Sequence, residues 1–403
     1  MMMTTLRTAV LLVLPCCHNV LTIPQLSTWE QAPVGNTPLI DLTELEPKLA
    51  AGVRVFGKAE FVNPSGSIKD RIVQFILDEH ERTGRLVRHS GQTIVAASSG
   101  NTAAALAMFS AMRGYHCVLI TNRKTSTEKV QQLHAFGAEV IVTASGVPIS
   151  SAEHYQNVEK RLCKENPSWL GLNQYDNPLN PQAYYASLGP ELWAQTNGTL
   201  THFVAAGSTG GTVSGTARFL KEQSASVRVL MPDPMGSIFY DMWKHERLAT
   251  PRSFEVEGVG KDSIPLALNL SCVDEMPRFN DRDAFTMCRT MARSLGVMVG
   301  GSAGGNVFAA LELARSIRRG PAVIVAILCD SGTKYLSKIF NDEWMRSKGY
   351  LDERTDDSRA SGPRHTGGPT GHADPAARGR GGEVDTSSWD EFKVGSLGDT
   401  SIL

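Results

Sequence analysis

The feature that most constrains the fold is a regular alternation between short β-branched runs and amphipathic stretches, from about Val53 to Ile339. Strands separated by helices of about 10 to 15 residues predict βαβ units, whose parallel sheets are covered by helices. Buried strands are predicted at Val53–Ala59, Thr93–Ala97, Cys117–Ile120, Glu139–Val142, His202–Ala205, Val227–Leu230 and Ala322–Ile327. Helices are predicted at about 69–83, 101–113, 126–136, 151–164, 182–196, 210–222, 281–295, 303–317 and 331–340. Ligands of such folds bind at the carboxyl ends of the strands, so the strand-to-helix junctions are where chemistry is expected.

The composition excludes several classes of protein. The 403 residues carry 40 Lys plus Arg against 41 Asp plus Glu, so the net charge is −1. Nucleic-acid or acidic-membrane binding would need clustered basic charge, which this balance does not indicate. The length is sufficient for one large α/β domain or two smaller ones that share a cleft. The seven cysteines are odd in number and form no Cys-x-x-Cys pair, so neither a disulfide framework nor a zinc or other metal site is predicted.

The two ends of the chain differ from the rest. Residues 1–24 form a leader whose apolar run, Ala9–Cys17, is too short to span a bilayer; a cleaved targeting signal is the alternative. We therefore expect a cytoplasmic protein without a stable membrane span, with a targeted or secreted protein as the alternative. Residues 353–403 are rich in Gly, Arg, Asp, Ser, Pro and Thr. A disordered tail is predicted there, because such a segment cannot bury enough apolar surface to offset its ordering entropy.

Two strand-to-helix junctions carry groups that suit an amino acid. At the first, Lys69 opens a helix directly after a Gly/Ser turn. A lysine there is usually a solvated charge, but a partly desolvated amine would have the lowered pKa that a Schiff base needs. The second junction, Ser98–Thr102, places hydroxyls and backbone N–H groups at a helix N-terminus. Such a loop can bind a carboxylate, or can simply cap the helix.

Two further junctions are rich in glycine. Gly207–Thr212 follows a buried strand, and its glycines would let backbone N–H groups approach a phosphate; a tight structural turn is the alternative. The loop matches neither the Walker A nor the dinucleotide-binding pattern, so an ordinary nucleotide site is not supported. Gly300–Gly305 is a weak signal by itself. Together the junctions offer an amine, a carboxylate loop, a phosphate loop and the Ser302 hydroxyl, which are the contacts that pyridoxal 5′-phosphate (PLP) and an amino acid need.

Over roughly residues 30–350 the sequence resembles the cysteine synthase / cystathionine β-synthase family of fold-type-II PLP enzymes. The matching motifs occur in the order Val34–Leu39, Asn63–Arg71, Ser99–Thr102, Asn173–Pro178, Ser208–Thr212, Asp233–Ser237, Val256–Gly260, Gly301–Gly304 and Asp330–Leu336. The resemblance implies a two-domain α/β fold like that of the tryptophan synthase β-subunit, with a catalytic core over 25–352. A smaller lobe of about 65–180 would be inserted between parts of the larger lobe. The resemblance also implies a homodimer.

The resemblance further implies a role for each matching residue. Lys69 binds the cofactor covalently and later moves the α-proton, Asn101 hydrogen-bonds the cofactor 3′-oxygen, and Ser302 faces the pyridine nitrogen. The phosphate is cradled by consecutive loop residues, Ser208, Thr209, Gly210, Gly211 and Thr212. The substrate α-carboxylate is held by Ser98, Ser99, Thr102 and Gln174, and Gly258 lines the mouth of the cleft.

An uncharged hydroxyl at the pyridine nitrogen has a chemical consequence. It leaves the ring largely unprotonated, so the α-carbanion is short-lived and expels a β-leaving group, giving an aminoacrylate to which a nucleophile adds. The implied reaction is β-replacement on serine or an activated serine such as O-acetyl-L-serine, with Lys69 as base and then acid. Cysteine, cystathionine or a related β-substituted alanine would be the product. A nitrogen or carbon nucleophile is one alternative, and a non-catalytic sensor or partner-binding homologue is another.

The sequence also departs from the family pattern. Ala96, Ser98 and Ala103 stand where the substrate loop usually has Glu, Thr and Gly, and the methyl of Ala103 is expected to alter the fit of the substrate. Ser208 replaces the usual glycine at the edge of the phosphate loop. Threonine deaminases and serine racemases share the fold but use glycine alone in this loop, so the sequence Ser208–Thr212 argues against them. Cys329 replaces the usual proline before Asp330. The identity of the nucleophile and of the leaving group therefore stays open.

Overall fold

The computed structural model describes residues 33–352, apart from Ser99, Lys124, Ser126 and Ser145. The leader predicted at 1–24 and the tail predicted at 353–403 lie outside the described residues. Among the helices that are described, none is long and apolar enough to cross a membrane.

Strands and helices alternate along most of this length. The strands are β1 (Leu39–Asp41), β2 (Val53–Lys58), β3 (Thr93–Ala97), β4 (His116–Asn122), β5 (Glu139–Thr143), β6 (Leu170–Gly171), β7 (His202–Val204), β8 (Arg228–Leu230), β9 (Asp233–Pro234), β10 (Arg278–Phe279) and β11 (Ala322–Ile327). The helices are α1 (Lys69–Arg82), α2 (Asn101–Arg113), α3 (Thr127–Ala135), α4 (Tyr155–Glu165), α5 (Leu179–Ala186), α6 (Leu188–Gln195), α7 (Gly211–Gln223), α8 (Phe239–His245), α9 (Asp281–Leu295), α10 (Gly301–Ser316) and α11 (Asp342–Ser347).

Two sheets carry the fold, and both are mostly parallel. The larger has the order β1-β2-β11-β7-β8, with only β1 antiparallel to its neighbour, and the smaller has the order β5-β4-β3-β6. The smaller sheet is formed by strands between residues 93 and 171, and the larger one by strands before and after that segment. The predicted class, parallel sheets covered by helices, is confirmed, whereas the lobe boundaries of about 65 and 180 stay a prediction.

The central strand β11 shows why the sequence folds this way. Ile324, Val325, Ala326 and Ile327 are all fully buried, so no face of the strand meets water. A parallel strand that helices cover on both faces needs such an unbroken apolar run. All the strands predicted from β-branched runs occur, with ends displaced by no more than a few residues.

Two predicted helices are wrong. The one predicted at 182–196 is divided at Ser187 into α5 and α6. Pro190 explains the break, because it lacks the N–H that would bond to the Ala186 carbonyl in a continuous helix, and its ring would collide with that carbonyl. The helix predicted at 331–340 is a short 3-10 turn, Gly332–Tyr335, which the Ser331 side chain caps by accepting the Thr333 N–H.

The contact between α9 and α10 supplies a test of packing. An added Cβ at Gly304 would lie 2.1 Å from the Ala284 carbonyl oxygen and 2.6 Å from Cys288 Sγ. We expect Gly304→Ala to lower the free energy of unfolding by about 1–3 kcal/mol, because the helices must separate to admit the methyl group. Urea unfolding measures the change. Glu312→Ala on the exposed side of the same helix is the control and should stay within about 0.5 kcal/mol of the wild type; an equally stable Gly304→Ala variant would contradict the close packing.

Candidate active site

One cavity gathers most of the residues that the sequence analysis singled out. It has a volume of about 310 Å³ and lies where β3, β7 and β11 end. The predicted residues that line it are Lys69, Ser98, Asn101, Thr102, Gln174, Ser208, Thr209, Gly210, Thr212, Gly258 and Ser302. Gly211 is the first residue of α7 but is not part of the lining, and Ser99 lies outside the described residues. The strand-to-helix junctions therefore converge, although convergence does not by itself assign their roles.

Lys69 carries the amine of the cavity. It opens α1, and the preceding Ile68 N–H donates to the Cys329 carbonyl at 2.9 Å, which fixes the turn against the end of β11. Burial lowers the pKa of the Lys69 ammonium, and the nearby Cys329 and Asp330 side chains oppose this effect. Among the described residues no carboxylate forms an ion pair with this amine, so the neutral, nucleophilic form is more accessible than in a surface lysine.

The helix that presents Lys69 is anchored by buried charges. Arg71, two residues further on, pairs with Glu60 at 2.7 Å and with Glu191 at 2.8 Å, and Lys58 pairs with Glu191 at 2.7 Å. Although burial opposes it, the hydrogen bonds from Arg71 lower the pKa of Glu191 to about 2. The first turn of α1 is therefore attached both to the region around β2 and to α6.

Asn101 is oriented by charged and polar neighbours. Its Nδ2 donates to Asp330 Oδ2 at 2.8 Å, and its Oδ1 accepts from Lys334 Nζ at 2.8 Å. Tyr335 donates its hydroxyl to the same Asp330 oxygen at 2.7 Å. Since one hydrogen of the Asn101 amide is used by Asp330, the other can reach a ligand oxygen in the cavity.

The part of the cavity lined by Ser302 and Cys329 is uncharged. Ser302 lies in the first turn of α10, beside the Cys329 thiol, which donates to the Ile327 carbonyl at 3.8 Å and accepts from Asn306 Nδ2 at 3.6 Å. Burial raises the pKa of that thiol to about 11, so both groups are neutral at physiological pH. A heterocyclic nitrogen placed here would meet a hydroxyl rather than a carboxylate.

The glycine-rich loop ends in an anion-binding helix N-terminus. Gly210 has φ +84°, and an added Cβ there would lie 2.3 Å from Leu268 Cβ, so only glycine fits. The first N–H groups of α7 have no acceptors within the helix and are free for phosphate oxygens. Asn180 Nδ2 supports the loop by donating to Thr209 Oγ1 at 3.0 Å. Amine, amide, neutral hydroxyl and anion-binding loop together form a donor set that fits PLP.

Two of the residues predicted to hold the substrate carboxylate form a hydrogen-bonded unit. Thr102 donates its hydroxyl to Gln174 Oε1 at 2.6 Å, and Gln174 Nε2 donates to the Ala97 carbonyl at 3.3 Å. Ala103, in contrast, is fully buried in the core and does not line the cavity. The expected effect of its methyl group on substrate fit therefore finds no support, because the side chain points away from the space a substrate would occupy.

Several lining or supporting residues were not found from the sequence. Glu257, beside Gly258 at the mouth, forms ion pairs with Lys129 of α3 and, at 2.7 Å, with Lys338. Glu257 falls inside the motif Val256–Gly260, which could have indicated it. Asn180 carries no such signal, since it belongs to none of the motifs and its contact with the phosphate loop, to Thr209, spans 29 residues of sequence. The described residues bring together no group of His, Cys, Asp or Glu that could hold a metal ion.

Comparison with known proteins agrees with this geometry. A family model described as "Pyridoxal-phosphate dependent enzyme" matches residues 31–330. Cystathionine beta-synthase of Apis mellifera is 36% identical over 318 residues, which cover 79% of this chain but only 62% of that protein. Cysteine synthase of Dictyostelium discoideum is 35% identical over 328 residues, 79% of this chain and 85% of that protein. The crystal structure of an O-acetylserine dependent cystathionine beta-synthase from Helicobacter pylori aligns with a TM-score of 0.70 and 34% identity, over 77% of this chain and 97% of that chain.

The ion pairs of Glu191 with Arg71 and Lys58 supply a pH-dependent test of how helix α1 is anchored. We expect Glu191→Gln to destabilise the fold by about 3 kcal/mol at pH 7, since it leaves Arg71 and Lys58 with less compensating charge. The pKa of Glu191 is lowered from its usual 4.5, so its contribution is present above about pH 4.5 and is lost as the pH falls toward 2. Urea unfolding of both proteins at several pH values should show their difference shrinking below pH 4.5. A difference independent of pH would contradict the ion-pair argument.

Proposed function

We propose that this chain, which belongs to the family of pyridoxal-phosphate dependent enzymes, catalyses β-replacement on serine or an activated serine. The observation that carries the proposal is that one cavity holds both a neutral hydroxyl at Ser302 and the Lys69 amine, which has no ion-pair partner among residues that the structure describes. The fold is that of the fold-type-II PLP enzymes. Two relatives, a cystathionine beta-synthase and a cysteine synthase, bear names that agree with this chemistry. The chain spans about three fifths of the first of these, so the activity of the whole relative is not transferred.

Different residues of the cavity would have different roles in this reaction. When bound, PLP supplies an electron sink for negative charge at the substrate α-carbon. The Lys69 amine, with its lowered pKa, would take the proton from that carbon and return it at the end of the reaction. Thr102 and Gln174, with Ser98 and Ser99, would bind the α-carboxylate, and the loop Ser208–Thr212 would bind the phosphate.

The neutral Ser302–Cys329 pair favours departure of a β-substituent. A carboxylate in this position would hold a proton on the ring nitrogen and stabilise negative charge at the α-carbon for longer. A hydroxyl does not do so, and prompt expulsion of a leaving group is then the easier course. This argument supports β-replacement over reactions that need a long-lived carbanion, while it leaves the incoming nucleophile undetermined.

Three finer statements belong to the same proposal. We expect a homodimer and a cytoplasmic location, and we expect the core 25–352 to be divided into two lobes, the smaller covering about 65–180. Light scattering of the purified protein measures the oligomeric state. Fractionation of the native host measures the location.

A spectral titration tests the proposed function. The purified holoenzyme is titrated with serine, O-acetylserine and O-phosphoserine, and a new cofactor band at about 460–470 nm is expected with the donor whose β-group departs. Sulfide, homocysteine and a panel of nitrogen and carbon nucleophiles are then tested for their ability to abolish the band. A protein that binds no PLP, or that responds to none of the donors, would contradict the proposal.

Replacement of the amine is the strictest test of Lys69. We expect Lys69→Ala to lower kcat by about 10²–10⁴-fold or more, because the acid–base group and the covalent attachment disappear together. Turnover and borohydride trapping of the cofactor provide the measurement. Lys164→Ala, on the exposed side of α4, is the matched control and should keep wild-type turnover. Unchanged activity in the Lys69→Ala variant would refute the assignment.

The role of the neutral Ser302 hydroxyl is tested by placing a charged side chain at this position. We expect Ser302→Asp to reduce kcat by about tenfold or more, equivalent to roughly 1.4 kcal/mol, because a carboxylate would protonate the ring nitrogen. Ser302→Ala keeps the position uncharged and should retain more activity. Steady-state kinetics and the absorption spectrum of the bound cofactor distinguish the two. An Asp variant as active as the Ala variant would contradict the role given to Ser302.

A further inference from the structure

A buried carboxylate holds the two backbone segments that carry the substrate-binding side chains. Glu159 lies on α4 and is only 9% exposed. Its Oε2 accepts the Ala97 N–H at 2.8 Å, and its Oε1 accepts the Asn173 N–H at 3.0 Å. The residues that follow these two in the sequence are Ser98 and Gln174, both of which line the cavity.

The position of Glu159 follows from where the small sheet ends. Strands β3 and β6 pair in parallel only through Ile94 with Leu170 and Val95 with Gly171. One more backbone bond, from Leu172 N to the Val95 carbonyl at 2.9 Å, closes the ladder. Beyond this bond the two strands no longer pair. The buried N–H groups of Ala97 and Asn173 therefore need an acceptor from another part of the protein. Glu159 supplies that acceptor to both.

The chemistry of the carboxylate suits two donors. An ionised carboxylate only accepts hydrogen bonds, whereas an amide of the same shape would turn an NH₂ group toward one of the two N–H groups. Burial raises the pKa of Glu159, and the hydrogen bonds from Ala97 and Asn173 work against that shift. In the described part of the chain no buried cation pairs with this carboxylate, and Lys160, the basic residue that acts on it, is exposed. The two backbone groups are therefore the main stabilisation of a buried charge.

The segment after β6 needs such a restraint. Asn173 has φ +44°, in the left-handed region that residues with a side chain rarely adopt. Its unusual conformation turns the chain so that Gln174 enters the cavity, where it bonds to Thr102 and to the Ala97 carbonyl. The Asn173 N–H bond to Glu159 fixes that turn from the opposite side.

We propose that Glu159 is a positioning residue for the substrate α-carboxylate, which it serves by fixing Ala97 and Asn173 so that Ser98 and Gln174 converge. The inference rests on the proposed function, because it takes the Ser98–Gln174 side of the cavity as the place where an amino-acid carboxylate binds. Glu159 does not line the cavity and touches neither substrate nor cofactor. Its effect is specific: it acts on the carboxylate site, while the phosphate loop and Lys69 are held by other contacts.

The test uses the holoenzyme and the variant Glu159→Gln. L-Alanine, which has an α-carboxylate but no leaving group, is titrated while the absorption of the bound cofactor is followed. We expect the variant to raise the dissociation constant for L-alanine, and the KM for the serine donor, about tenfold, the equivalent of one net hydrogen bond. The kcat and the affinity of the apoprotein for PLP should stay within about twofold of the wild type.

Two further variants complete the design. Asp274→Asn is the matched control, since Asp274 also accepts a backbone N–H, from Val229 at 2.7 Å, but lies away from the cavity. It should leave the L-alanine affinity unchanged. Glu159→Asp keeps the charge and both acceptor oxygens and should raise the dissociation constant less than the Gln variant does. It also provides the measurement if Glu159→Gln fails to fold.

The outcomes separate the inference from the proposed function. A wild-type enzyme that responds to L-alanine and a Glu159 variant of equal affinity would overturn the positioning role alone. Parallel losses of PLP affinity, melting temperature and L-alanine affinity would also overturn it, since they would indicate general damage. A wild-type enzyme that responds to no amino acid would overturn the proposed function, and the inference with it.

Discussion

One backbone hydrogen bond joins two segments that carry reactive side chains of the cavity. The Ile68 N–H donates to the Cys329 carbonyl, and this bond ties the turn before Lys69 to the second residue beyond the central strand of the larger sheet. Strand β11 is hydrogen-bonded to β2 on one edge and to β7 on the other, so its end is held from two sides. The Lys69 amine, the Cys329 thiol and the Asp330 carboxylate are therefore all positioned by the end of β11. The side chains that the smaller sheet contributes to the cavity are positioned relative to this strand end.

The distribution of charge in the site follows from burial. Arg71, Glu60 and Lys58 are buried and Glu191 is half-buried, and the four neutralise one another in a network. The Lys69 amine is largely shielded from water and, within the part of the chain that the structure describes, belongs to no such pair. Since desolvation disfavours an unpaired ammonium, the pKa of this group is lowered and its neutral form becomes more accessible. Ion pairs thus anchor helix α1 through Arg71, whereas the reactive Lys69 nitrogen on the same helix is left without one in the described structure.

The sequence predicted which junctions meet in one cavity better than it predicted the boundaries of the elements. Strand-to-helix junctions such as Ser98–Thr102 and Gly207–Thr212 follow β-branched runs, and parallel topology brings their ends together. Local periodicity did not indicate the break at Ser187, and it predicted a helix at 331–340 where the structure has a short 3-10 turn. It also gave no sign of Asn180 or Glu159, because their contacts join separate segments, such as Asn180 with Thr209 and Glu159 with Ala97, and such contacts have no periodic pattern in the sequence. Ala103 shows the converse error: a residue next to a functional loop need not face the ligand.

Asn180 connects the two halves of the cavity. Its single amide nitrogen donates to the Gln174 carbonyl oxygen at 2.7 Å and to Thr209 Oγ1 at 3.0 Å. One buried group thus braces both the carboxylate side and the phosphate side, so a displacement of either segment would be transmitted through Asn180 to the other. Coupling of this kind is reciprocal: whatever factor a bound cofactor adds to the affinity for an amino acid, the bound amino acid adds to the affinity for the cofactor.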